Sequence, residues 1–210
     1  MAGVSVLKLD RTARAEVVMR TAEVLLSGGI VIFPTDTVYG LMVHGTDAHL
    51  LARLNALKGR SPDRPIAALA APDAPLVEHM RALVSSLPGA EKLIPGALTV
   101  VADRAAWGNT LPEPLMSLPY SRIGVRIPGH AVLQEILARC GGWLMATSAN
   151  PEGQPTQPSL REVIAQLGGA SGVELAVDGG LCESEPSAVV EISGGQIRIA
   201  RPNPLLGTRF

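Results

Sequence analysis

Aromatic residues are nearly missing from this chain. Phe, Tyr and Trp together make up 3% of its 210 residues. The interior must therefore be built from Leu, Val, Ile and Ala, and platforms for stacking nucleic-acid bases are scarce. Cysteine is scarce too: Cys140 and Cys182 lie far apart and no CxxC occurs, which argues against a disulfide scaffold and for a reducing compartment. No window approaches the apolar length of a membrane span, and the N-terminus, MAGVSVLKLD, has no signal-peptide core. A cytoplasmic protein with no membrane partner is expected. Charged residues amount to 18%, with a formal net charge of -1, so no broad attraction to nucleic acid is predicted, although a local basic cleft is compatible with that balance. Several motifs are also missing. There is no GxxxxGK[ST], no GxGxxG after a strand, no HExxH and no GxSxG, and His44, His49, His79 and His130 have no zinc spacing. A metal held by protein ligands is not expected.

What is present is a 47% apolar chain in which helical and strand patterns interleave. Residues 12–26, 47–57, 76–87 and 133–140 show helical spacing of apolar positions, and Ser159 to Glu162 is a capping-box pattern opening a short helix to Leu167. Asp47 is placed to cap the second helix, whose inner face is expected to carry Leu50, Leu54 and Leu57. Short apolar or β-branched runs at 30–33, 66–70, 98–102, 124–127 and 143–147 read as strands. The chain ends in a hairpin, 188–192 and 196–200, turning through Ser193-Gly194-Gly195. This interleaving predicts an α/β fold with a twisted, mixed sheet. Residues 103–121 and 150–158 lack periodicity and are Pro-rich, as long functional loops often are.

Five stretches carry groups that a plain fold does not need. In Phe33-Pro34-Thr35-Asp36-Thr37-Val38-Tyr39-Gly40-Leu41, two hydroxyls flank a carboxylate. If the backbone is extended, both hydroxyls face one way and clamp a small zwitterion; the plainer alternative is a turn capped by Asp36, with Tyr39 in the core. In Lys58-Gly59-Arg60-Ser61-Pro62-Asp63-Arg64-Pro65, three cations sit on a stiffened backbone after a helix C-terminus. That is either a compact phosphate site or a solvated charge cluster. Arg126 lies inside the apolar strand Ile123-Gly124-Val125-Arg126-Ile127, so it must pair with an acid or face a cavity. Thr147-Ser148-Ala149-Asn150 breaks the apolar run before it, at the carboxyl end of a strand, where open α/β sheets bind ligands. Finally, Asp178-Gly179-Gly180, Pro186-Ser187-Ala188 and Arg201-Pro202 offer glycines for close approach and an arginine just after the last strand.

The order of these stretches, GGIVIFPTDTVYGL, KGRSPDRPI, PGALTVV, IGVRIPGH, MATSANPEGQPT, DGG, PSAVV and ARP, resembles the YrdC/Sua5 family, the threonylcarbamoyl-AMP synthases, from about Gly28 to Pro202. The resemblance implies one YrdC-like domain over residues 1–210, with flanking helices and a large concave basic groove. It implies a nucleotidyltransferase reaction in which L-threonine, bicarbonate and ATP give threonylcarbamoyl-AMP and pyrophosphate, for the t6A modification of tRNA. Thr35, Thr37, Arg126 and Ser187 would then hold threonine. Lys58, Arg60, Arg64, Ser148, Asn150, Thr156 and Arg201 would hold ATP, with Lys58 and Arg60 carrying the catalysis. Mg²⁺ would come mainly on the ATP phosphates, and partners would include tRNA or double-stranded RNA and a downstream t6A transferase complex. Met42, Ser61 and Pro151-Glu152 depart from the family pattern and touch loop shape more than ligand groups. Two other readings use the same groove: an RNA-binding module, and a paralogue performing carbamoyl-adenylate chemistry from carbamoyl phosphate.

Overall fold

A computed structural model of the chain describes residues 4–206; residues 1–3 and 207–210 of the expected domain lie outside the described residues. The elements run β1 (Ser5–Lys8), α1 (Arg14–Leu26), β2 (Val31–Phe33), β3 (Gly40–Val43), α2 (Ala48–Leu57), β4 (Ala67–Ala70), α3 (Ala74–Leu83), β5 (Leu98–Asp103), α4 (Glu113–Met116), β6 (Arg122–Arg126), α5 (Ala131–Arg139), β7 (Trp143–Ser148), α6 (Leu160–Gln166), β8 (Leu175–Asp178), β9 (Ala188–Ser193) and β10 (Gln196–Arg201). All ten strands join one mixed sheet in the order β1-β8-β2-β3-β7-β4-β6-β5-β9-β10.

The central strands alternate strictly between two apolar layers. Ile32, Leu41, Val43 and Met145 enter the larger layer, with α2, α3 and α6. Val31, Phe33, Met42, Leu144 and Ala146 enter the other, with α1 and α5. Because both faces are covered there, these strands read as continuous apolar runs rather than as alternation. Helix ends follow their side chains. The Leu50 amide donates to Asp47 Oδ1 at 3.0 Å, and the Glu162 amide donates to Ser159 Oγ at 3.3 Å. The final hairpin closes through Gly194 and Gly195, both with positive φ (56° and 77°), as a two-residue turn of right-handed twist requires.

The structure departs from the sequence expectation in particular places. β1, β3 and β8 are strands that pattern reading passed over. Each is four residues long; β1 and β8 pair with each other from opposite ends of the chain, and β3 lies between the adjacent β2 and the distant β7. The inner face of α2 turns toward Leu51 and Asn55, leaving Leu57 half-buried. Residues 103–121 are no open loop. A 3-10 turn at 104–107 and the short α4 pack Trp107, Leu111, Leu115 and Leu118 into the core, and the Trp107 indole N–H donates to the Ile123 carbonyl at 3.1 Å.

Leu133 on α5 is fully buried, whereas Met19 on α1 is 50% exposed. Leu133→Ala is expected to cost ~2–5 kcal/mol in urea unfolding, and Met19→Ala to stay within about 0.5 kcal/mol of the parent.

Candidate functional site

The helices α1 and α5 cover only the β1-to-β7 part of their face. Beyond them, toward β9, the same face is open and forms the floor of a cavity of about 740 Å³, within the range of small-molecule sites. Strand alternation decides what the floor presents. In β6, Ile123 and Val125 point into the core while Arg122 and Arg126 face the cavity. In β5 and β9 the cavity-facing residues are Thr99, Val101, Val189 and Glu191. Thr147 and Ser148 close one side, Arg60 and Arg64 another, and Thr35 and Thr37 a third.

Five arginines (Arg60, Arg64, Arg122, Arg126 and Arg201) border this cavity, against one carboxylate, Glu191. Glu191 is already engaged by Arg122 at 3.0 Å and Arg198 at 2.6 Å, which hold its carboxyl below the usual range. Arg64 has Glu152 at 3.7 Å, an exposed and weak pair. Arg60 donates from Nε to Asn55 Oδ1 at 2.6 Å, and its Nη2 is buried with no partner among the described residues. Arg201 donates to the Ser187 carbonyl at 2.8 Å and to Ser187 Oγ at 3.2 Å. Burial, and then the nearby Arg126 charge, weaken its hold on its proton.

Arg126 does both things its place in a strand demands. It borders the cavity, and its Nη2 pairs with Asp36 Oδ1 at 2.7 Å while Nε donates to the Gly96 carbonyl at 3.0 Å. Part of its hydrogen-bonding capacity is therefore met by Asp36 rather than left wholly for a ligand carboxylate. The Thr35–Thr37 segment is a bend, not an extended clamp. The two hydroxyls lie 3.0 Å apart, Thr35 Oγ1 donates to the Val38 carbonyl at 2.8 Å, and the Thr37 amide donates to Thr35 Oγ1 at 3.0 Å. Both hydroxyls still border the cavity, because the bend brings them to one side.

Tyr39 explains itself through β8. Its buried hydroxyl donates to the Gly180 carbonyl at 2.8 Å and accepts from the Gly179 amide at 3.1 Å; burial pushes its pKa up to about 12. Gly179 permits this approach, since a Cβ there would meet Pro34 Cγ at 2.6 Å.

Of the residues expected at the site, Thr35, Thr37, Arg60, Arg64, Arg126, Ser148, Ser187 and Arg201 border one cavity. Lys58, Asn150 and Thr156 do not border it. The Lys58 ammonium is turned onto the Ser148 and Asn150 carbonyls, both at 2.5 Å, and is buried. Asn150 accepts from it and donates from Nδ2 to the Gln154 carbonyl at 2.5 Å. Sequence reading passed over Thr99, whose hydroxyl lies 2.9 Å from Ser187 Oγ, along with Tyr120 and Glu191. It also passed over Asn55, which is fully buried and donates to the carbonyls of Pro62 and Arg64. An amide on the otherwise apolar inner face of α2 was the available signal for Asn55.

The family model Sua5_yciO_yrdC, described as telomere recombination, matches residues 23–203. A provisionally named threonylcarbamoyl-AMP synthase of Mycobacterium tuberculosis is 31% identical over 210 residues, spanning 96% of this chain and 90% of that protein. Human threonylcarbamoyl-AMP synthase is 32% identical over 154 residues, covering 73% of this chain and 53% of its own length. Among solved structures, that of P. abyssi Sua5 complexed with L-threonine shares the fold, with a TM-score of 0.70 at 23% identity, covering 96% of this chain and 58% of that one. The chain belongs to the Sua5/YciO/YrdC family.

Proposed function

We propose that the protein is a threonylcarbamoyl-AMP synthase, a transferase that joins L-threonine, bicarbonate and ATP into threonylcarbamoyl-AMP and pyrophosphate for the t6A modification of tRNA. The observation that carries this reading is the crowding of five arginines around one cavity whose single carboxylate is already engaged. Such a surplus of positive charge, partly shielded from water, favours a polyanion. The names borne by the mycobacterial and human relatives support the same activity.

In this reading Thr35, Thr37, Ser187 and the Asp36-anchored Arg126 hold threonine. Arg60, Arg64, Arg201 and Ser148 hold the triphosphate, which brings Mg²⁺ with it as part of the substrate. The amine of threonine and bicarbonate give a carbamate, whose oxygen attacks the α-phosphate as pyrophosphate leaves. No cavity-lining residue is placed as a nucleophile, and the chemistry does not call for one. The protein's part is to bring anions together against their repulsion, to align them and to stabilise charge on the phosphate; orientation alone can supply up to ~7–11 kcal/mol. No helix among the described residues is long and apolar enough to cross a membrane, and we place the reaction in the cytoplasm beside tRNA.

The defining assay is pyrophosphate release, with the product identified by mass. Release should require threonine and bicarbonate together, and release supported instead by carbamoyl phosphate without threonine would overturn the assignment. Arg60→Ala should lower kcat about 10²–10³-fold, as loss of a preorganised charge donor does; near-normal turnover would remove Arg60 from the phosphate site. Removing Arg126 alone would strand the largely buried Asp36. The informative variant is therefore Arg126→Met with Asp36→Leu, expected to fold and to raise the threonine KM about 10²-fold, while the ATP KM changes less than about threefold.

A further inference from the structure

Lys58 is spent where a phosphate-binding lysine would not be. It ends α2, its side chain is buried, and its ammonium donates to the Ser148 carbonyl at 2.5 Å, the Asn150 carbonyl at 2.5 Å and Asn150 Oδ1 at 3.0 Å. An ammonium has three N–H donors, and these three acceptors use them all; Ser148 Oγ stands farther off at 3.4 Å. The same residue grips the loop from its backbone, since the Glu152 amide donates to the Lys58 carbonyl at 2.8 Å. Within the loop, Ser148 Oγ donates to Asn150 Oδ1 at 2.6 Å and Asn150 Nδ2 donates to the Gln154 carbonyl at 2.5 Å. Ser148 borders the cavity, while Lys58 does not.

We propose that Lys58 is a positioning residue, whose ammonium folds residues 148–154 into the wall that presents Ser148 and does not itself touch the nucleotide. The kinetic consequence rests on the synthase reading; the ordering of the loop is a property of the ligand-free protein. The electrostatic setting sharpens the role. Burial first, then Arg60 and more weakly Arg201, push the Lys58 pKa down to about 7, against the opposing pull of Glu152. A charged lock is thus held near its titration point, with no carboxylate among its hydrogen-bond partners. An anion arriving beside Arg60 offsets the repulsion, raises the Lys58 pKa and draws in a proton. Nucleotide affinity should accordingly fall as pH rises through and above about 7.

Hydrogen exchange on the ligand-free protein tests the proposal directly. In Lys58→Met, the amides of residues 149, 150 and 152–154 should exchange about tenfold faster or more, with β4 and α5 unchanged, as expected for the loss of charge-assisted bonds. The nucleotide KM should rise about tenfold and lose its pH dependence near neutrality, with the threonine KM within about twofold. Lys58→Gln keeps an N–H donor group without the charge and leaves the Asn150 bonds within the loop intact; it should loosen the same amides to a lesser degree, and it decides the matter if Lys58→Met does not fold. Unchanged loop exchange together with a raised nucleotide KM would overturn the proposal in favour of direct phosphate contact. Equal rises in both KM values would overturn it in favour of a general structural role. A loosened loop in a protein that makes no threonylcarbamoyl-AMP would uphold the lock and sink the synthase reading alone.

Discussion

Everything at the site depends on keeping five guanidinium groups around one cavity without enough carboxylates to neutralise them. Like charges brought together away from bulk water repel strongly; Arg126, Arg122 and Arg64 each meet a carboxylate (Asp36, Glu191 and Glu152), but Arg60 and Arg201 form no ion pair among the described residues. Neutral oxygens hold those two, the Ser187 carbonyl and hydroxyl for Arg201 and the Asn55 side chain for Arg60, and the Gly96 carbonyl supplements Asp36 on Arg126. These acceptors fix geometry while leaving the positive charge in place. The site is preorganised for an anion before any anion arrives, which is what electrostatic catalysis of phosphoryl chemistry requires.

The sheet makes this arrangement affordable by separating its two tasks. Alternate residues of β6, β5 and β9 enter the core, where Ile123, Val125, Val100 and Val190 are buried, and the intervening residues are free to be polar. Helices α1 and α5 cover the β1-to-β7 part of the cavity face and leave the remainder open. A third helix on that face would bury Arg122 and Arg126 without solvent or ligand, at several kcal/mol per charge.

Around this floor, a layer of buried polar side chains turns loops into walls. Asn55 holds the basic loop, Tyr39 joins the start of β3 to the end of β8, and Lys58 gathers the loop after β7. Each is buried and bonds main-chain groups, those of Asn55 within the loop that follows it and those of Tyr39 and Lys58 on segments far along the chain. Such groups are costly when unpaired and ordering when paired, so the walls of the cavity are as specified as its floor.

Much of this was legible in one dimension. Helical spacing marked α1, α2 and α5, a capping box marked α6, and a lone arginine in β6 announced a cavity or a partner, because those signals reside in neighbouring residues and in the cost of burying charge. The bend that turns Thr35 and Thr37 together is closed by side-chain hydrogen bonds two and three residues apart that no apolar period announces, while the four-residue strands β1 and β8 and the pairing of Arg126 with Asp36 were decided by contacts 90 or more residues apart. The same holds for Lys58: sequence marks it as a cation beside Arg60, but only the return of β7 against β3 and β4 delivers the carbonyls that take up its three donors. Local order follows from side-chain period and capping; which of two chemically sensible partners a buried charge meets is settled when distant segments pack.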